Sequence, residues 1–219
     1  MNIRSFTTPV IAAGIGLVLM GGVHTSVSAG TTCQADVVFA MDNTGSMGGP
    51  ITNWTVKDGM LSCTGQKGSQ WIATKEEYAN FDLRLEFEIP KNGNSGVFIR
   101  ATKEGAAWVA GMEIQVLDDY GPKWKNLKPA QFTGAIYAVC APNVRASKKA
   151  GEWQSMRIRC QGATCEVWLN DKSIVKADLA KLAEKSPRAG GLKRTSGFIG
   201  LQNHSSPVHY RNLTIKRLK

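Results

Sequence analysis

Acidic residues are scarce in this chain. Its 219 residues carry 17 Asp and Glu against 27 Lys and Arg, a formal charge of +10. The basic residues are scattered through the second half rather than massed on one segment, and no recognition motif accompanies them. That excludes nucleic acid as a partner and leaves solubility, or loose attraction to anionic envelope polymers, as the role of the charge. Beyond residue 30 no apolar run approaches the roughly 20 residues that a membrane-spanning helix needs, which excludes stable membrane insertion. Internal repeats and low-complexity tracts are also missing, so one globular domain is the economical account. Helical periodicity is nearly absent. It appears only from Lys176 to Lys185, where Leu179, Leu182 and Ala183 share one side.

What is present begins with a leader. Arg4 supplies a basic start, Pro9 to Val23 form a short apolar run, and Val27-Ser28-Ala29 has the small residues that a signal peptidase accepts. Residues 1–29 are therefore read as a cleaved signal peptide, and the mature protein as secreted or periplasmic. Five cysteines suit such an oxidising compartment. Cys160 and Cys165 flank a hairpin turn, which makes a bridge between neighbouring strands geometrically possible. Cys63 and Cys140 are left to pair or stay free, and Cys33 is the odd one.

Strand signals dominate after Asn53. Leu83 to Ile89 alternates apolar and polar without a break. Val97–Ala101, Met112–Val116, Met156–Cys160, Cys165–Leu169, Phe198–Gln202 and Leu213–Leu218 follow as further strands. Tight turns are expected at Pro90–Gly93 and Asn170–Lys172, and a long loop at 121–131. Many strands and one short helix predict an all-β sandwich. Two strands also carry polar groups among apolar ones. Alternation puts Glu113 and Gln115 on one face and Ile114 and Val116 on the other, so this strand can pack a core and line a cleft. With Arg100, Trp108 and Tyr137 nearby, the pattern points to recognition of a sugar-like ligand. Lys193-Arg194 reads as a solvated corner and His209 as structural.

Between the leader and the sandwich, Asp36 to Met47 resembles the first metal-site segment of von Willebrand factor A domains. Asp42, Thr44 and Ser46 match its Asp-x-Thr-x-Ser spacing. Such domains need an α/β architecture of well over a hundred residues, whereas β-rich sequence of another kind resumes here at Trp54. Residues 30–52 are therefore read as a fragment, or as an edge strand, rather than a working cation site.

From Trp54 onwards (residues 53–219 as a domain) the chain resembles the 3-keto-disaccharide hydrolase family, also called 3-keto-glucoside 1,2-lyase/3-keto-2-hydroxyglucal hydratase. The landmarks are Asp58-Gly59-Met60-Leu61, Tyr78 to Leu83, Gly93-Asn94-Ser95-Gly96-Val97-Phe98, Met112 to Val116, Thr133 to Tyr137, Gly151-Glu152-Trp153, Gly200 to His204 and Arg211-Asn212-Leu213. The resemblance implies a concanavalin A-like β-sandwich (jelly roll). It departs at the N-terminus, where family members have a strand that pairs with the C-terminal one. Here Val37-Val38-Phe39 is expected to take that place.

The resemblance also implies a reaction. A ketone at C3 of a glucoside acidifies the C2 proton, a base removes it, the enolate expels the C1 substituent, and water adds to the enone. The net outcome is hydrolysis of a carbohydrate, a 3-keto-glycoside. Glu113 and His204 are the titratable groups suited to the proton transfers. Arg100 is expected to stabilise the enolate, Gln115, Gln202 and Tyr137 to hold hydroxyls, and Trp108 or Trp124 to stack on the sugar. A divalent metal ion held by Glu113, Asp118 or His204 is the alternative electrophile; Asp118 otherwise shapes a turn. A non-catalytic carbohydrate-binding module is the rival function, because sandwiches of this kind host both.

Overall fold

The computed structural model describes residues 53–66 and 71–219, and the backbone of 16–18, 35–36 and 38–40. The rest of the leader, Cys33 and the Asp42, Thr44 and Ser46 loop lie outside the described residues. The chain forms two antiparallel-rich sheets packed face to face, as the alternating strands predict. The first contains, in spatial order, β1 (Gly16–Val18), β3 (Val38–Ala40), β6 (Trp71–Thr74), β13 (Phe198–Gln202), β8 (Asn94–Ala101) and β9 (Met112–Leu117). The second runs β12 (Lys172–Asp178), β11 (Thr164–Leu169), β10 (Gln154–Gln161), β7 (Phe81–Glu88), β14 (Val208–Arg217), β5 (Met60–Cys63) and β4 (Trp54–Lys57), with β2 (Ala35–Asp36) also on β14. Among the described residues, no helix is long and apolar enough to cross a membrane.

Strand β7 shows how the sequence builds the core. Phe81, Leu83, Leu85 and Phe87 are fully buried between the sheets, while Asp82, Arg84, Glu86 and Glu88 face outward. Each such apolar side chain contributes about 1.5–3 kcal/mol on leaving water. Val97, Ile99, Ile114, Val116, Ile199 and Leu201 meet them from the six-stranded sheet. The outer face of that sheet is not simply solvated. It carries a second apolar cluster of Trp71, Ala73, Phe98, Ala101 and Ala107.

The N-terminal pairing differs from expectation in detail. Ala35 and Asp36, not Val37 to Phe39, pair with Ile215 and Thr214 of β14. Three residues on from Asp36, Phe39 and Ala40 pair with Thr74 and Ala73 of β6 in the other sheet. The segment thus contributes pairing to both sheets, and in the six-stranded sheet β3 lies between β1 and β6. The helix also begins later than its periodicity suggests. Residues to Asp178 extend β12, and Asp178 then accepts hydrogen bonds from Ala180 N and Lys181 N to cap α2 (Leu179–Lys185). Two short helices, α1 (Ala107–Ala110) and α3 (Ala189–Leu192), carry too few residues to show a period. Cys160 and Cys165 stand directly opposite each other on β10 and β11 as free thiols, and Cys63 and Cys140 are also free.

Candidate active site

A cavity of about 560 Å³ opens on the outer face of the six-stranded sheet. Its floor follows from register. Gly200, Phe98 and Glu113 form one row across β13, β8 and β9, and Trp71, Gln202 and Gln115 flank Gly96 in the next. Both polar residues of β9 therefore face the cavity, as alternation requires, while Ile114 and Val116 face the core. Tyr137 reaches it because residues 134–137 run along the free edge of β9. There Gly134 N donates to Gln115 O at 2.8 Å and Tyr137 N to Glu113 O at 2.9 Å. His204 follows β13, and its Nδ1 lies 3.2 Å from the Asn94 amide Nδ2. With Asn94 donating, Nδ1 is the acceptor and Nε2 carries the proton.

Glu113 is the most perturbed acid in the cavity. Only 6 % of it is exposed, and burial pushes its carboxyl up to about 7 from 4.5. The Arg188 charge and the Gln202 amide pull the other way without cancelling the effect. Its carboxylate folds over Gly96, where a Cβ would stand 2.3 Å from Oε1. Two further acceptors in the lining, Asn94 Oδ1 and Gln202 Oε1, are buried without a protein partner. They suit ligand hydroxyl groups, which can donate to them.

Arg100 is a correction. Between β8 and β13 the register slips, so that Phe198 faces Ala101 while Gly200 faces Phe98. Arg100 is the extra residue of this bulge, with φ of +48°, and bulges re-aim side chains out of alternation. Its side chain is 1 % exposed and lies outside the cavity lining. The guanidinium donates to Ala79 O (2.8 Å), Gly162 O (2.9 Å) and Arg194 O (3.0 Å). Arg194, expected in a solvated corner, returns a bond from Nε to Arg100 O at 2.9 Å.

The cation in the cavity is instead Arg188, which sequence reasoning missed. Its guanidinium stacks on Trp108 (4.6 Å) and Tyr137 (5.3 Å) and donates to both their carbonyls at 3.4 Å. The following helix packs tightly on the start of β9: a Cβ at Gly191 would meet Gly111 O at 2.0 Å. Gly190-Gly191 thus belongs to α3 rather than to a plain loop, and this close approach was the available signal. Trp108 stays 40 % exposed at the rim.

Asp118 is the second correction. It lies outside the lining, and its Oδ2 accepts from Asn92 N at 2.8 Å, so it shapes the turn after β9. Trp124, the other stacking candidate, also lies outside it. His209 bonds Ser62 Oγ across strands at 2.8 Å and is structural, as expected. With Asp118 committed elsewhere, Glu113 and His204 are the cavity's remaining donors of that type. Among the described residues no three His, Cys, Asp or Glu gather as a metal site. The other oxygen donors in the lining are the unpartnered amide oxygens of Asn94 and Gln202.

A profile of the 3-keto-alpha-glucoside-1,2-lyase-like domain matches residues 40–216. A 3-keto-disaccharide hydrolase of Bacteroides thetaiotaomicron is 27 % identical over 206 residues, covering 76 % of this chain and 71 % of that protein. Among solved structures, a protein of Parabacteroides distasonis provisionally described as a glycosyl hydrolase is 35 % identical. It covers 75 % of this chain and 90 % of its own, with a TM-score of 0.68. A carbohydrate-binding module of Bacillus subtilis, CBM66, shares the fold at 13 % identity, 74 % and 90 % coverage and a TM-score of 0.51. The chain belongs to the family of 3-keto-alpha-glucoside-1,2-lyase-like domains.

Proposed function

We propose that this protein is an exported enzyme that cleaves 3-keto-glycosides by elimination across C1 and C2 followed by hydration. The observation that carries the reading is Glu113. A carboxyl whose protonation is poised at about 7 sits in a sugar-sized cavity beside a guanidinium and facing orphaned acceptors. A base is most useful when its pKa lies near working pH. Glu113 takes the C2 proton of the keto sugar, and the Arg188 guanidinium offsets the charge that moves onto the C3 oxygen. The C1–O bond then breaks with its electron pair on the departing oxygen. His204, exposed at the open end of the cavity and steered by Asn94, handles the proton of the water that adds to the enone. Gln115, Gln202 and Tyr137 hold ring hydroxyls. Export rests on the leader-like residues 1–29.

The test is turnover of a synthetic 3-keto-glucoside by the full chain and by Glu113→Gln, each with and without a chelator. Enone or free 3-keto-glucose is expected from the parent only, with no effect of the chelator. Tight sugar binding without turnover by the parent assigns the protein to the binding modules. Loss of turnover on chelation restores the metal-assisted route.

A further inference from the structure

The cavity has two chemically different ends. Asn94 and Phe98 lie on one face of β8, four residues and thus about 13 Å apart at roughly 3.3 Å per residue. At the Asn94 end stand His204, Gln202 and Gln115. At the Phe98 end, towards α1, the lining is Trp71, Phe98, Gly105, Ala106, Ala107 and Trp108, with the Arg188 guanidinium on the Trp108 ring. The Trp71 indole lies flat on the sheet, because a Cβ at Gly200 would meet its Cε3 at 2.1 Å. Phe98 meets that indole edge-on, with ring centroids 5.4 Å apart. The span accommodates two six-membered rings end to end, one in oxygen-rich surroundings and one against aromatic and methyl groups.

We infer that the Trp71, Phe98 and Trp108 end is an aglycone subsite that selects glycosides of an aromatic ring. This rests on the reading of Glu113 as the base that acts on the sugar. Hydroxyls of a second sugar seated against Phe98, Ala106 and Ala107 lose their water partners without replacement, whereas an aromatic ring stacks on that surface. The leaving-group chemistry favours the same class: a phenol, with a pKa of about 10 like tyrosine, departs as its anion more readily than the far less acidic hydroxyl of a sugar. The C2 proton goes to Glu113, its electron pair forms the C1=C2 bond, and the C1–O pair leaves on the phenoxide, which water protonates.

The experiment compares kcat/KM for phenyl, methyl and glucosyl 3-keto-glucosides, in both anomers, for the full chain and for Trp108→Ala. Binding of the unoxidised phenyl and methyl glucosides is followed in parallel by tryptophan fluorescence. The phenyl substrate is expected to lead the other two by at least tenfold, the scale on which an apolar pocket discriminates. The phenyl-to-methyl ratio should fall severalfold in Trp108→Ala, and phenyl glucoside should bind the parent more tightly than methyl. A glucosyl substrate as good as phenyl overturns the inference, and so does equal binding of the two unoxidised glucosides. If no keto-glucoside turns over but phenyl glucoside binds preferentially, the proposed reaction falls and the subsite stands. Equal turnover of all three aglycones has the opposite meaning.

Discussion

The carboxylate of Glu113 occupies the space in which a side chain at position 96 would stand, 2.3 Å from that missing Cβ. The glycine lies beside it on β8, opposite Gln115, so the Gly-Asn-Ser-Gly turn-and-strand landmark shapes the acid's pocket directly. Gly96→Ala is expected to lower kcat at least 100-fold by displacing the carboxylate. Stability should change little, because the clash is with the Glu113 side chain rather than with backbone, and Ala suits a strand better than Gly by roughly 0.5–1 kcal/mol. A melting curve near the parent's together with lost turnover is the expected pair of results. An active Gly96→Ala removes the carboxylate from this position in the working enzyme.

Glu113 should also make stability depend on pH. Its folded value, about 7, lies above the ordinary 4.5, so the native state holds the proton more tightly than the unfolded one. The contribution is fully present below about pH 4.5 and is lost as pH rises through 7. The shift corresponds to about 3 kcal/mol at most. Denaturant midpoints should therefore fall between pH 5 and pH 8.5 in the parent and fall much less in Glu113→Gln. Activity runs the other way, because the base must be ionised: kcat/KM should rise through about pH 7. A pH-independent rate from 5 to 9 excludes Glu113 as the base.

The two arginines should separate cleanly. Arg100→Met leaves Ala79, Gly162 and Arg194 carbonyls without their donor, at about 1–3 kcal/mol each. A loss of several kcal/mol lowers Tm by roughly 10 °C or more in a chain of this size, while the folded fraction keeps its turnover. Arg188→Met should do the reverse, with little change in Tm and kcat down about 10²-fold. Thermal melts and kinetics on both variants decide the matter. Equal melting losses in the two remove the distinction drawn between them.

How far the sequence revealed this site depends on where alternation holds. Glu113 and Gln115 were legible because β9 is a regular strand, and a period of two leaves no choice of face. Arg100 was misread for the same reason: the rule was applied across a bulge, which no local sequence pattern announced. Asp118 belongs to a turn one residue beyond the strand, where the period no longer applies. Arg188 escaped because it precedes a helix of four residues and reaches the cavity only through the contact of Gly191 with Gly111, which are 80 positions apart. The sheets themselves were mostly legible. The short β4, β5 and β6 were not, since four residues carry too little periodicity to stand out, and neither was β12, whose last residues read as the start of the helix.

His204 offers the plainest separation of chemistry from structure. It is exposed and, among the described residues, bonds to the Asn94 amide at 3.2 Å, so His204→Ala should melt within a degree or two of the parent. Loss of a general acid or base typically costs 10²–10⁴-fold in rate, and turnover should fall by about that factor. If His204 serves the hydration step, the enone should accumulate in the variant and show as a new ultraviolet absorbance that the parent does not build up. Asn94→Ala should reproduce part of the defect, because the amide fixes the ring's orientation and tautomer. Full turnover by His204→Ala, with no enone, shifts the hydration step to water alone or to another group in the cavity.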